Sequence, residues 1–385
     1  MFNMLPKVSP NSMKARIFIA FLASAGLFYV NIMPAIVNGL IEALEFTNQQ
    51  AGNVASANMY GAAVGALLIV FLIKKLNWRI VSVVFLSSII TIDLLSIKLT
   101  DPTIMIAVRF IHGFIGGMLV GTGFSLIART HEPDRTFGVL LFVQFGFGGL
   151  GIMFIPGLVP EYGTQILFYS LVAFSVATFM MLPFLPDYAI PAQKKDKVAS
   201  AEINWLPLGL TLATIFLFQA ANMGLFAFII GLGEYYKLEM GFISTTLGIA
   251  NWLGLVGAGL VIAIGSRFGY LKSVLAGIAL TAVSIWALLY SNIPWIWIAS
   301  NCLIGITWGF TISYLLGLAS RFDTAGQMAA LGGFASKMGL ASGPAVTAML
   351  LGKDNYKLII MVAAGVMILS AVAVWRPSQL QDRAS

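Results

Sequence analysis

Charge is what this sequence has least of. Only 10% of its residues are Asp, Glu, Lys or Arg, against about 25% in soluble domains, and 59% are hydrophobic. That balance excludes a soluble globular protein. There is one cysteine, Cys302, inside an apolar segment, so neither an intrachain disulfide nor a thiolate metal cluster is expected. The alternation of a membrane β-barrel is missing, which leaves helices to satisfy the backbone in lipid. Nothing resembles a phosphate-binding loop or an ATPase domain. No nucleophile, base and orienting group fall into a recognisable arrangement, so an enzyme is not expected, nor is a metal or cofactor. Large polar regions are absent too: the longest polar stretch runs from about Asp187 to Glu202.

What is present is twelve apolar stretches, near 16–38, 51–73, 79–99, 102–128, 136–160, 164–186, 204–232, 240–266, 270–292, 294–320, 327–352 and 355–375. Each approaches the roughly 20 residues a membrane-spanning helix needs. The first is too long for a signal-peptide core and is expected to stay as the first helix. The net charge of +7 reads as topology, not as nucleic-acid affinity. Lys7, Lys14, Arg16, Lys74, Lys75, Arg79, Lys194, Lys195, Lys197, Arg267 and Lys272 fall on one side of the membrane. Glu42, Glu45, Glu161, Glu234 and Glu239 fall mainly on the other. Lys/Arg excess marks the cytoplasmic side, and an even number of spans then puts both termini there.

The second six segments echo the first six. Glu42, Asn58, Gly61, Gly65 and the basic turn Lys74-Lys75 correspond to Glu234, Asn251, Gly254, Gly257 and Arg267. The offset from Asn58 to Asn251 recurs from Lys74 to Arg267 and sets Gln144 opposite Lys337. Internal duplication of this kind builds many transporter folds. The expectation is an all-α membrane protein of 12 transmembrane helices in two pseudo-symmetric six-helix lobes. The first lobe is 1–186, a cytoplasmic linker follows over 187–203, and the second lobe is 204–385. Glycines cluster in the fourth and fifth segments, where small residues let membrane helices approach and where sliding during gating is the other reading.

Ionisable side chains in hydrocarbon are costly and mark function. Four stand out: Asp93, Arg109, His112 and Lys337. Lys337 lies ten residues past the start of its segment, roughly 15 Å deep at the helical rise, too deep to snorkel easily. It is read as lining a wet cavity. Asp93 precedes the outer turn and Arg109 follows it, both roughly 10 Å below the surface, level enough to pair. Two readings stay open for that pair: a structural bridge, or a proton site at Asp93 controlled by Arg109. His112 shares the Arg109 face at i, i+3 and is a candidate proton carrier or hydrogen-bond donor to the solute. Neutral polar residues (Asn31, Asn58, Gln144, Asn222, Asn251, Asn301) and the aromatics Tyr29, Phe226, Trp252, Trp308 and Tyr314 fill out the cavity picture. If Asp93 and Arg109 cancel, the remaining charge is positive and favours an anion.

The string Arg109-Phe-Ile-His112-Gly113-Phe-Ile-Gly-Gly resembles the Arg-x-x-polar-Gly fourth-helix motif of the major facilitator superfamily. The basic loop from Gly65 to Arg79, its copy from Gly265 to Lys272, and Gly343-Pro344 resemble other signatures of that family. The resemblance spans the chain. It departs where the family's loop carries Asp and Gly and this chain has Lys74 and Asn77, so Lys74, Lys75 and Arg79 are expected to pair instead with Glu132 and Asp134. The antiporter motif of the fifth helix is only partly present, in Gly151 and Pro156-Gly157. A lysine in the eleventh helix resembles organic-anion members.

The resemblance implies a bacterial-type inner-membrane secondary transporter working by alternating access. Lys337 and Gln144 would bind the anionic group, with Asn31, Asn222, Trp308, Tyr29 and Asn301 shaping the pocket. Asp93, Arg109 and His112 would couple transport to protons, and Lys74, Lys75, Arg79, Glu132, Asp134 and Arg267 would form the cytoplasmic lock. A monomer is expected, with a small-molecule solute, protons and the lipid bilayer as partners and no nucleic acid. Two alternatives stand: proton-driven efflux of amphipathic drugs or metabolites, in which Asp93 is essential and Lys337 dispensable, and a non-transporting receptor or assembly protein on the same fold.

Overall fold

The computed structural model describes residues 6–73, 75–188, 204–265, 267–322 and 327–384. Lys74 and residues 189–203 of the expected linker lie outside them. The described residues form helices and no strand. In chain order these are α1 (Met13–Ala25), α2 (Phe28–Asn31), α3 (Met33–Leu44), α4 (Asn48–Leu72), α5 (Trp78–Ser96), α6 (Pro102–Ile127), α7 (Pro133–Tyr162) and α8 (Gln165–Met181). They continue as α9 (Trp205–Ala227), α10 (Ile229–Tyr235), α11 (Met240–Ile264), α12 (Gly269–Ala287), α13 (Pro294–Ser320), α14 (Gln327–Leu351) and α15 (Tyr356–Ala384). Taking α1–α3 and α9–α10 as one broken span each gives the twelve expected from the hydropathy.

The ends follow local chemistry. Asp101 caps α6 by accepting from the Ile104 N–H at 2.8 Å, and Pro102 occupies the first turn, where its missing donor costs nothing. Asn77 caps α5 by accepting from the Arg79 N–H at 3.0 Å. The break at Ile32, between α2 and α3, falls two residues before Pro34, which cannot donate into the preceding turn. Ten of the described helices are long and apolar enough to cross a membrane. The broken first span is not among them, nor is α14, whose glycines, serines and Lys337 hold its hydropathy down.

The chain forms two compact units, 1–46 with 57–194, and 47–56 with 195–385. In the first, α4 and α6 meet backbone to backbone. A Cβ on Gly61 would strike the Phe110 carbonyl, one on Gly113 the Asn58 carbonyl, and one on Gly117 the Ala62 carbonyl. Glycines four apart on both helices are the small-residue device for close membrane packing. The second unit repeats it between α11 and α13, where Gly305 and Gly309 face the carbonyls of Ala250 and Gly254. It uses the device again between α9 and α14, where Gly339 and Gly343 face the carbonyls of Phe216 and Ala220. The first turns of α4 belong to this unit: Ser56 Oγ accepts from the Ala345 N–H at 2.9 Å, and Asn48 Nδ2 donates to the Lys353 carbonyl at 2.7 Å.

One expected pairing is corrected. Arg79 does not reach Glu132 or Asp134. Its Nε donates to Asp187 at 2.8 Å and its Nη2 to the Leu185 carbonyl at 2.5 Å. Arg79 sits in the first turn of α5, and the end of the sixth span offers it both a carboxylate and open carbonyls. Glu132 instead takes Arg16 and, at 3.4 Å, Arg135. No ion pair joins Lys75, Asp134 or Arg267 to another group among the described residues. Other groups bind the same region: Lys7 Nζ donates to the Pro183 carbonyl at 2.6 Å and Tyr188 Oη to the Pro10 carbonyl at 3.2 Å. Burial pushes the Tyr188 hydroxyl up to about 12, so it stays a donor at physiological pH.

Candidate functional site

The first unit holds a buried polar cluster built on four helices. Arg109 and Asp93 are both 0% exposed. Arg109 Nη1 donates to Asp93 Oδ1 at 2.7 Å, and Nη2 reaches the Ser96 hydroxyl and, at 3.4 Å, the Ile92 carbonyl. The guanidinium carbon lies 5.1 Å from the Phe168 ring centroid on α8, within cation–π range. His112 Nε2 lies 3.3 Å from Asp93 Oδ1, off the line of a hydrogen bond. On its other edge, Asn58 Nδ2 on α4 sits 2.9 Å from His112 Nδ1 and donates to the Arg109 carbonyl at 3.1 Å. The Tyr29 ring on α2 stands 6.0 Å from the imidazole. The structure thus brings together Asp93, Arg109, His112 and Tyr29.

Burial of so many polar groups is costly unless each is satisfied. Here four atoms are not: Tyr29 Oη, Asp93 Oδ2, Arg109 Nε and His112 Nε2 have no hydrogen-bond partner among the described residues. The cluster has spare capacity concentrated around one carboxylate.

Asn31 and Gln144 form a second feature of this unit. Gln144 Nε2 donates to Asn31 Oδ1 at 3.1 Å, and Asn31 Nδ2 donates to the Gln144 carbonyl at 3.1 Å. The pair ties the broken first span to α7.

In the second unit, Gln219 is the hub. Its Oε1 accepts from Trp308 Nε1 at 2.7 Å and its Nε2 donates to Ser336 Oγ at 2.8 Å. One buried amide therefore fixes the indole of α13 and the residue just before Lys337 on α14. Lys337 is half-buried, and no carboxylate pairs with it among the described residues. Asn222 spends its amide nitrogen on the Phe218 carbonyl at 2.8 Å, and its buried Oδ1 has no hydrogen-bond partner among the described residues. Asn301 donates to the Trp297 carbonyl at 2.9 Å, one turn back in its own helix.

Gln219 and Ser336 were not singled out in the sequence, nor was Ser96. A glutamine one turn before Asn222 in an otherwise apolar span was the available signal. Among the described residues no cluster of three or more His, Cys, Asp or Glu is arranged to hold a metal.

The fold is similar to solved transporters at low sequence identity. A structure of a mutant of the nucleoside transporter NupG superposes with a TM-score of 0.75 and 13% identity, over 95% of this chain and 100% of that one. Another NupG structure gives 0.72 and 15%, over 94% and 98%. A D-xylose-proton symporter gives 0.71 and 14%, over 94% and 97%. No curated protein matches the sequence significantly. The family description that does match is Major Facilitator Superfamily, over residues 17–339. With its helices, its buried charges and this match, the chain belongs to the major facilitator superfamily and is a membrane transporter of small solutes, not an enzyme.

Proposed function

We propose that this transporter carries a small organic anion across a bacterial inner membrane by alternating access, coupled to protons. The observation that carries the reading is Lys337, a cation in the middle of α14, which we assign as the eleventh span, with no carboxylate to neutralise it among the described residues. Unpaired cations at such positions mark solute paths, and a site of positive sign recruits anions. The first unit's charges differ, because Asp93 and Arg109 bind each other. Lys337 takes the solute's carboxylate. Gln144, Asn31, Asn222, Asn301, Tyr29 and Trp308 are the other contacts we assign, with Gln219 orienting the indole. Asp93, Arg109 and His112 form the proton-coupling group, supported by the unpartnered Asp93 Oδ2.

The protein is assigned two lobes, 1–186 and 204–385, working by alternating access. Both termini are placed in the cytoplasm by the Lys/Arg excess, and Arg79 with Asp187 is placed in the lock on that side. Monomers are the working form.

Thermal shift of the purified protein tests the reading, because a ligand that binds the native state raises its melting temperature. The panel holds organic acids, amino acids, cationic drugs, nucleosides and D-xylose. Stabilisation by an acid that disappears in Lys337→Ala supports the anion site. Stabilisation by cations that survives in Lys337→Ala overturns it and moves the weight to Asp93 and drug efflux.

A further inference from the structure

We propose that Asn58 is a positioning residue that fixes the ring proton of His112 on Nε2, facing Asp93. The inference rests on reading Asp93, Arg109 and His112 as the proton-coupling group, but its geometry stands independently. The orientation of the Asn58 amide is set by the Arg109 carbonyl, 3.1 Å from the nitrogen Nδ2. A carbonyl oxygen only accepts, so the flipped amide would place oxygen against oxygen there. The same Nδ2 lies 2.9 Å from His112 Nδ1. A nitrogen that already faces a donor must present its lone pair. The neutral ring therefore carries its single proton at the other nitrogen, Nε2, 3.3 Å from Asp93 Oδ1.

The packing explains why Asn58 can do this. The Gly113 backbone lies directly against the Asn58 carbonyl, so α4 and α6 are close enough for the short amide to reach both the Arg109 carbonyl and the imidazole. Architecture alone does not demand the contact. The repeat mate of Asn58 is Asn251, and at the same offset Arg109, His112 and Asp93 are replaced by Cys302, Gly305 and Trp286. There the helices pack as closely, with Gly305 against the Ala250 carbonyl, yet Asn251 Nδ2 has no hydrogen-bond partner among the described residues. The amide has acquired partners only in the unit that carries the charges.

The titratable and charged groups that face His112 are Asp93 from α5, Arg109 from its own helix and Tyr29 from α2; α4 contributes the neutral Asn58. With the imidazole proton on Nε2, the ring turns its N–H edge toward Asp93, 3.3 Å from Oδ1 and off the hydrogen-bond line, while Arg109 Nη1 donates to that oxygen. The unpartnered Oδ2 is then the atom that takes a proton without breaking the bridge to Arg109. A ring with its proton on Nδ1 would lose both features: it would clash with the Asn58 donor and turn a lone pair toward the carboxylate.

The chain has two histidines, which makes the test direct. His131 is exposed and is removed as His131→Gln. Histidine-selective nitrogen-15 NMR of the full chain in lipid nanodiscs, at mildly alkaline pH, then reads which ring nitrogen of His112 is protonated. A single tautomer with bare Nδ1 and protonated Nε2 is expected. Asn58→Leu, which removes the donor, turns it into a mixture. Asn58→Asp, which offers an acceptor, moves the proton to Nδ1 and covers the case in which the leucine variant does not fold. A protonated Nδ1 in the parent protein, or an unchanged Nε2 tautomer in both variants, overturns the proposal. The result does not depend on transport: a correct tautomer in a protein whose flux ignores pH sinks the coupling role alone.

Discussion

Asp93 and Arg109 are each enclosed completely, so removing one strands the other. Replacing one partner of a buried bridge typically costs about 3–5 kcal/mol, while replacing both with apolar groups is often neutral. Asp93→Leu is therefore expected to destabilise the protein by that order, and Asp93→Leu with Arg109→Leu to recover most of it, measured by thermal unfolding in detergent. If the bridge is the proton site, the double variant regains stability but not pH-dependent flux. A double variant with full pH dependence makes the pair purely structural. In the second unit, Gln219→Leu removes the acceptor of Trp308 Nε1 and the donor to the buried Ser336 Oγ. A buried group left without its partner costs about 1–3 kcal/mol, so a lower melting temperature and weaker solute stabilisation are expected together.

Much of the first cluster was legible because helix geometry is local. Counting residues from the outer turn put Asp93 level with Arg109, and the i, i+3 spacing put His112 on the same face; both are observed. The contacts of Asn58, Gln219 and Asn31 were not legible. Each crosses between helices far apart in sequence, Gln219 to Ser336 or Asn31 to Gln144, and which faces meet depends on packing rotation that no local spacing encodes. Arg79 was misassigned for a related reason: charge complementarity named several carboxylates, and the carbonyls at the end of the sixth span decided among them.

At the scale of the helix, glycine has two separable roles. Where α4 crosses α6, a side chain on Gly113 or Gly117 meets backbone carbonyls, which cannot move without displacing a helix. Gly117→Val is expected to cost about 1–3 kcal/mol through overpacking and to lower the yield of monodisperse protein in size-exclusion chromatography. Gly365 in α15 has nothing within 4 Å of an added Cβ. Gly365→Ala is expected to stabilise by about 0.5–1 kcal/mol, because glycine loses more conformational freedom in a helix. Equal effects at the two sites would refute the distinction between packing glycines and open ones. Most elements were readable to within a few residues from apolar length, but α3 runs on to Leu44 and α15 to Ala384, well past the apolar stretches expected to end near 38 and 375. The breaks at Gly26–Leu27 and Phe228 were not, since a short interruption barely alters average hydropathy.

For the whole molecule, the end of the sixth span is held by Lys7, Arg79 and the N-terminal segment. If this is part of the gating lock, Arg79→Ala is expected to change transport rate while leaving solute-dependent thermal stabilisation intact. Loss of binding and rate together would make the contact a folding element instead. The two-lobed architecture was visible in the repeat of Asn58 and Asn251 and of the basic turns, because a duplicated fold repeats its packing constraints. The solute was not visible, because it is set by a few side chains on that shared frame. The most direct measurement is uptake of a stabilising organic acid into proteoliposomes under an imposed pH gradient, for the parent protein and for Lys337→Gln. The proposed function predicts concentrative transport that collapses with a protonophore and falls at least about tenfold in Lys337→Gln, the loss of roughly 1.4 kcal/mol of interaction. Equal flux in the variant, or accumulation indifferent to the gradient, contradicts it.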